Sequence, residues 1–373
     1  MKTLYLHSEP DSSSKANLLQ VKAMCKAMSD SGMQVVLSLP ADKGNSQRAE
    51  SETGSYSLHF RDPVFHNSKI DKYLNYRGVR KAINEHEPDY MYLRTPLLLQ
   101  QALASNKPII MELHNVALHQ GYRLIDAHWR RLLLRTAKSE QIKKIVCISQ
   151  ALSDYWVQQG IQASKVVTAH DGIDEEQFFK PMQPDLAKVA LRLPKEKKIA
   201  TYLGRLYENR RIDVIFALAR IYNDVLFLVV GGPDSESRRL ANLATQQNLD
   251  NILFTGQIAH EKITNYLYAS DVLLALWSAE VKTINYCSPL KLFEYMASGK
   301  TIVAHGFPTI LEVLRDGENA IIVEPDSLND LVEKVGYAIR GNDLGQLGKT
   351  ARDEALSNYT WQKRVARIFD GIN

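Results

Sequence analysis

Cys287–Ala304 reads CSPLKLFEYMASGKTIVA. Ser288 and Pro289 form a helix start: a hydroxyl cap, then a proline whose missing N–H costs nothing at the first helical position. Leu290, Leu292, Phe293 and Met296 follow at helical spacing through Ser298. Gly299 permits a left-handed stop, and Thr301–Ala304 is an apolar run the length of a buried strand. A helix that feeds such a strand is half of a βα unit, and the chain repeats that unit in both directions.

Toward the C-terminus the next strand is Ala320–Val323. Toward the N-terminus, strands are expected at Val272–Ala275, Ile252–Thr255, Leu226–Val230 and Ile199–Leu203. Between Asp174 and Lys198 the alternation lapses into a stretch with Pro181, Pro184 and Pro194. Before it the pattern returns, with strands at Thr3–His7, Gln34–Leu39, Tyr90–Leu93, Pro108–Leu113, Lys144–Ile148 and Val166–Thr168, and helices at Ala16–Ser31, Ile70–His86, Leu97–Ala104 and Ser149–Gln159. Strands alternating with helices mean a largely parallel sheet. Two such sets predict an α/β chain of two doubly wound, Rossmann-like domains: residues 1–178, a linker at 179–196, and residues 197–359. Two such domains should face each other across a cleft, with ligands at the carboxyl ends of the strands. No sequence repeat relates the halves.

The chain's 373 residues suit two ordinary domains. With 45% hydrophobic and 24% charged residues, it is neither disordered nor fibrous. No apolar run approaches the roughly 18–20 residues of a membrane span, and the N-terminus lacks the apolar core of a signal peptide. The three cysteines, Cys25, Cys147 and Cys287, are too few and too scattered for a disulfide framework, so a cytoplasmic setting is expected. A net charge of +4 is too small to suggest nucleic acid. The cations concentrate between Gly121 and Gln150, where Arg123, Arg130, Arg131, Arg135, Lys138, Lys143 and Lys144 face only Asp126 and Glu140. Interleaved with Trp129 and Leu132–Leu134, they give two readings. One is the solvated face of a domain helix; the other is a contact with an anionic membrane surface through Arg130, Arg131 and Arg135.

Several chemistries are excluded by absence. There is no G-x-x-x-x-G-K-[ST] loop, no G-x-G-x-x-G after the first strand, no G-x-S-x-G, and no H-E-x-x-H or paired C-x-x-C. No required metal is therefore expected. Three segments carry candidate chemistry. In Tyr202–Arg211, YLGRLYENRR, Gly204 allows a tight strand exit and Arg205 and Arg210 could fork onto a diphosphate. In Ser288–Glu294 the helix start exposes N–H groups near Leu290 and Lys291, an anion site. Glu294, one turn in, could accept both hydroxyls of a ribose. In Met111–Asn115, MELHN, His114 ends a strand; strand alternation leaves open where Glu112 points.

Together these residues resemble the family 4 glycosyltransferases of the GT-B fold. VCIS, AHDGIDEEQF, YLGRL, VVGG, FTGQI, SPLKLFEYMASGK and GENAIIVEPDSLNDL stand in the family's order and spacing, with YTWQKRVARIF near the C-terminus. The resemblance implies a retaining, metal-independent transfer from a nucleoside diphosphate sugar, UDP-linked, to a glycan or lipid-linked acceptor, with no cofactor. It implies donor contacts by Gly204, Arg205, Arg210, Ser288, Pro289, Leu290, Lys291 and Glu294. His114 would lie beside the transferred sugar, and Ser13, Ser14 and Lys15 on the acceptor side. The C-terminal helix, 360–373, would cross back to the first domain. Three positions depart from the family pattern: Tyr286 replaces the first glutamate of Glu-x7-Glu, Ser12–Ser14 replace a glycine pair, and Arg211 replaces a glycine. The alternatives are a nucleotide-sugar epimerase and a non-catalytic accessory protein of the same fold.

Overall fold

Parallel strands buried on both faces read as near-continuous apolar runs, because neither face meets water. The strand Leu226–Val230, LFLVV, is an example: all five residues are buried, with Leu226, Leu228 and Val230 packed into one core cluster and Phe227 and Val229 into the other. The computed structural model describes residues 1–10, 16–41, 50–62, 76–118, 122–206, 210–341 and 344–372. It divides into two units, Met1–Asp171 with Trp361–Asn373, and Gly172–Thr360.

The first unit holds β1 (Lys2–Leu6), β2 (Gln34–Pro40), β3 (Glu50–Glu52), β4 (Ser57–Arg61), β5 (Tyr90–Leu93), β6 (Ile109–Leu113), β7 (Ile142–Cys147) and β8 (Val166–Thr168). They form one sheet in the order β3-β4-β2-β1-β5-β6-β7-β8, parallel except for the β3–β4 pair. The order doubles back beside β1, the arrangement that opens a crevice at the carboxyl ends of a doubly wound sheet. The strands β3 and β4 were not read from the sequence. The helix Trp361–Phe369 belongs to this unit; Val365 and Ile368 are fully buried.

The second unit holds β9 (Ile199–Leu203), β10 (Leu226–Val230), β11 (Ile252–Phe254), β12 (Val272–Ala275), β13 (Thr301–His305) and β14 (Ile321–Val323), ordered β11-β10-β9-β12-β13-β14 and all parallel. The stretch 179–196, read as a linker, is structured within this unit. Pro184 occupies the first turn of a helix, Pro184–Ala190, in which Ala187 is fully buried and Lys188 is held by the Lys197 carbonyl at 3.0 Å and by Asp271 at 3.3 Å. Here proline starts a helix instead of breaking one.

Candidate active site

In the second unit, three motif glycines meet at the carboxyl ends of β9, β10 and β11. Gly204 has φ of 147°, and its N–H donates to the Val230 carbonyl at 2.9 Å. Gly231 has φ of 104°; a Cβ there would stand 2.8 Å from the Gly204 carbonyl oxygen. The Gly231 N–H reaches the Gly256 carbonyl at 3.0 Å. The backbones therefore approach more closely than any side chain would allow.

Cations gather over this exit. The Nζ of Lys291, partly buried, lies 4.4 Å from the ring centres of both Tyr202 and Trp277, in cation–π contact with each. A Cβ on Gly204 would be 3.6 Å from that Nζ, so the lysine sits against the glycine. Burial, followed by the charge of Arg210, lowers the Lys291 pKa to about 7. Arg210 has its Nε buried without a hydrogen-bond partner, a donor that a bound anion could satisfy. Arg205 is exposed, and its carbonyl accepts from the Tyr202 hydroxyl at 3.1 Å.

Lys291 belongs to the helix Leu290–Ser298; the Leu292 N–H donates to the Pro289 carbonyl at 2.9 Å, while the N–H groups of Leu290 and Lys291 have no acceptor within the helix. Its start differs from the expectation. Pro289 is itself the cap residue and no side chain caps the helix, so Ser288 is not the cap. The left-handed stop at Gly299, with φ of 71°, is as expected. One turn in, Glu294 is buried and its Oε1 lies 2.7 Å from His260 Nε2. That hydrogen bond is the main cause that raises the His260 pKa. His260 carries no motif and was not found from the sequence.

In the first unit, the carboxyl ends of β5 and β6 and the chain after β8 build a buried ionic network around Glu112. The Tyr92 hydroxyl donates to Glu112 Oε2 and the His114 Nε2–H to Glu112 Oε1. Arg364, from the C-terminal helix, pairs with Glu112 at 2.9 Å and donates to the carbonyls of Ala169 and His170. Burial by itself would raise the Glu112 pKa; Arg364, then His114 and Arg94, hold it well below the usual range. The His114 pKa is lowered as well, to about 4, by burial and then by Arg94. It is therefore neutral, with its Nδ1 facing Arg94 Nη2 at 3.4 Å. Both ring nitrogens are engaged with protein groups. Gln20 accepts from Arg94 and donates to Asp171 at 2.5 Å. Burial raises the Asp171 pKa to about 7, and Arg364 opposes that shift.

The structure thus brings Gly204, Arg210 and Lys291 together, seats Glu294 on the same helix as Lys291, and sets His114 in the Glu112 network. Ser13, Ser14 and Lys15 lie outside the described residues. Arg130 is not available as a membrane contact. Its guanidinium donates to the Tyr155 hydroxyl at 2.7 Å and the Val116 carbonyl at 2.8 Å, and stacks on Trp156 at 5.1 Å. Arg131 and Arg135 are exposed.

Two family models match the chain: Glycosyltransferase Family 4 over residues 20–177 and Glycosyl transferases group 1 over residues 185–354. The chain belongs to the family 4 glycosyltransferases. An uncharacterized glycosyltransferase of Methanocaldococcus jannaschii is 25% identical over 61% of this chain and 58% of its own length. The match thus spans less than two thirds of that relative. Sucrose-phosphate synthase of Thermosynechococcus elongatus superposes with a TM-score of 0.79 at 16% identity, over 99% of this chain and 98% of that one. The Anabaena protein HepE, solved in complex with UDP-glucose, gives 0.76 at 18% identity over 99% and 98%. The fold is GT-B.

The backbone at Arg211 explains why the family pattern has a glycine there. It adopts φ of 57°, a conformation disfavoured for a side chain. Ion pairs to Asp326 at 2.6 Å and Asp213 at 3.3 Å accompany it. The three cysteines are free, Cys25 and Cys147 buried. Among the described residues no helix is long and apolar enough to cross a membrane.

Proposed function

We propose that this glycosyltransferase is a retaining enzyme that takes its sugar from a UDP-sugar and moves it to a glycan or lipid-linked hydroxyl. The observation that carries the donor assignment is the cation cluster at the end of β9. An arginine with a buried unpartnered Nε and a lysine with a pKa near 7 stand where the first-turn N–H groups of Leu290–Ser298 emerge. That set suits a diphosphate. Glu294, held by His260, is the ribose ligand of this reading.

In the proposed step, the acceptor oxygen forms its bond to the anomeric carbon on the face from which the phosphate leaves. The carbon–oxygen bond to the phosphate breaks with its electron pair going to that oxygen, which also takes the acceptor's proton; UDP departs. Arg205, Arg210, protonated Lys291 and the helix N–H groups stabilise the charge that develops on the diphosphate. With the positive charge supplied by the chain, no metal is required in this scheme. His114, fixed between Glu112 and Arg94, positions the sugar through the face and edge of its ring.

A peripheral contact with anionic lipid belongs to the same proposal. The helix Arg123–Thr136 and the residue before it expose Tyr122, Leu124 (86% exposed) and Ile125 beside Arg123, Arg131 and Arg135. Apolar side chains with flanking cations suit a membrane interface.

The donor assignment is tested by titration calorimetry with UDP. Arg210→Ala and Glu294→Ala should each weaken binding by about 1–3 kcal/mol, the usual range for a charged hydrogen bond. Unchanged affinity in both variants would remove the assignment.

A further inference from the structure

The sheet edge of the first unit carries a second cluster of ligating side chains that shares no residue with the sites above. His59, 5% exposed, lies on β4, opposite Ser38 of β2 and Glu50 of β3. The helix Tyr76–His86 ends on the same spot with its last two residues, Glu85 and His86. His59 Nδ1 is 2.9 Å from His86 Nε2, with the rings nearly perpendicular at 88°, and 3.9 Å from Glu85 Oε2. One ligand atom from each residue lies within 4.8 Å of the others.

Two imidazole nitrogens at this separation share one proton between two lone pairs. A cation that shifted this proton to the far nitrogen of the same ring would gain both lone pairs, with the carboxylate as a third donor. Tetrahedral zinc, with metal–nitrogen distances of roughly 2.0–2.1 Å, spaces its ligand nitrogens at roughly 3.3 Å. The pair would need to open by only roughly 0.4 Å. Two nitrogens and one carboxylate suit a borderline transition ion rather than magnesium or calcium, which take oxygen donors. Lys81 Nζ, 3.6 Å from Glu85 Oε1, competes for the carboxylate, but its side chain is 62% exposed. An exposed pair of this kind yields at little cost.

We propose that His59, Glu85 and His86 bind one Zn2+ per chain, with water as the fourth ligand. The ion would tie β4, the strand next to the sheet edge, to the end of the following helix, across 27 positions of sequence. It would stabilise the first unit by mass action and take no part in sugar transfer.

The test uses the full chain, free of any histidine tag and stripped with a chelator. Zn2+ is titrated in competition with a chromogenic chelator, Co2+ is added to read the visible spectrum of a low-coordinate site, and melting is followed with Zn2+ or Mg2+. One equivalent of Zn2+ should bind, with Co2+ absorbing in the visible and the Tm rising with Zn2+ but not with Mg2+. His86→Ala should lose on the order of tenfold or more in affinity, together with the Tm rise. Glu85→Gln, at an exposed residue that leaves the packing intact, should weaken binding in the same direction. Absence of stoichiometric binding to the wild type would overturn the proposal. So would binding that both variants leave unchanged, since the ion would then sit elsewhere and the histidines would be a hydrogen-bonded pair only.

Discussion

Lys291 should take up a proton when a donor sugar nucleotide binds. With its pKa near 7, the lysine is charged in roughly one chain in ten at pH 8. A diphosphate oxygen about 4 Å away, at an effective dielectric near 20, favours the charged form by about 4 kcal/mol per unit charge. That equals roughly three pKa units, so the bound lysine would titrate near 10 and stay charged at pH 8. Binding of one UDP-glucose should therefore absorb roughly 0.9 proton at that pH. The ligand suits the measurement because its diphosphate is esterified at both ends and has no group that titrates nearby. Because the free lysine is neutral above 7 and the bound one charged, the lysine's contribution to affinity should be flat below pH 7. It should then fall about tenfold per pH unit between roughly 7 and 10.

Calorimetry at pH 8 in two buffers of different ionisation enthalpy reads the proton count from the difference in heat. His260 acts in the opposite sense. If ribose takes Glu294 from it, the imidazole loses the partner that raises its pKa and sheds any proton it carries. Lys291→Met separates the two effects: its proton count should fall to zero or below while some affinity remains. Equal proton counts for the wild type and Lys291→Met at pH 8 would refute the reasoning, because the diphosphate would then not lie on Lys291.

Further outcomes follow from the Glu112 network and the basic helix. Arg364→Met should lower unfolding stability by about 3–5 kcal/mol in urea, because Glu112 is left charged and buried. Adding Glu112→Leu should restore much of the loss, and a single-variant loss below about 1 kcal/mol would show that the pair is solvated. His114→Ala should cut turnover by about 100-fold with UDP affinity unchanged, as expected for a misplaced sugar; near-normal turnover in a stable variant would remove His114 from the site. Reversing Arg131 and Arg135 to Glu should abolish co-sedimentation with anionic liposomes and spare UDP binding. Equal sedimentation of the wild type with neutral vesicles would leave the helix a solvated face.

The second unit was the more legible half. Its strands are mostly apolar runs, and its candidate chemistry falls in two short stretches, Gly204–Arg210 and Ser288–Glu294, each readable in one window. The first unit hides more. The strand Ser57–Arg61, SLHFR, escapes the apolar pattern because it carries a histidine and an arginine. Yet Arg61 is buried and donates to the Ser38 carbonyl at 2.6 Å and to the His7 carbonyl at 2.5 Å. Burial lowers its pKa to about 9. What makes the arginine tolerable there is supplied by two strands distant in sequence, and no local window contains it. Pro184 misled in the other direction, because proline in a lysine-rich stretch suggests a linker until Ala187 is seen in the core.

Glu112 shows the same limit at the site itself. Alternation assigns faces only where one face meets water; β6 is buried at every position, so its pattern carries no such signal. A carboxylate in that setting is stable only with a matched cation, and the cation is Arg364, contributed by the last helix of the chain. Arg364 also spends hydrogen bonds on the carbonyls of Ala169 and His170, at the start of the segment AHDGIDEEQF. Three stretches whose resemblance to the family could be read only separately, MELHN, AHDGIDEEQF and YTWQKRVARIF, therefore meet through one guanidinium. The C-terminal helix then has a chemical role as well as a packing one. It keeps Glu112 ionised, and the ionised Glu112 accepts the His114 Nε2–H and so fixes the tautomer that faces Arg94.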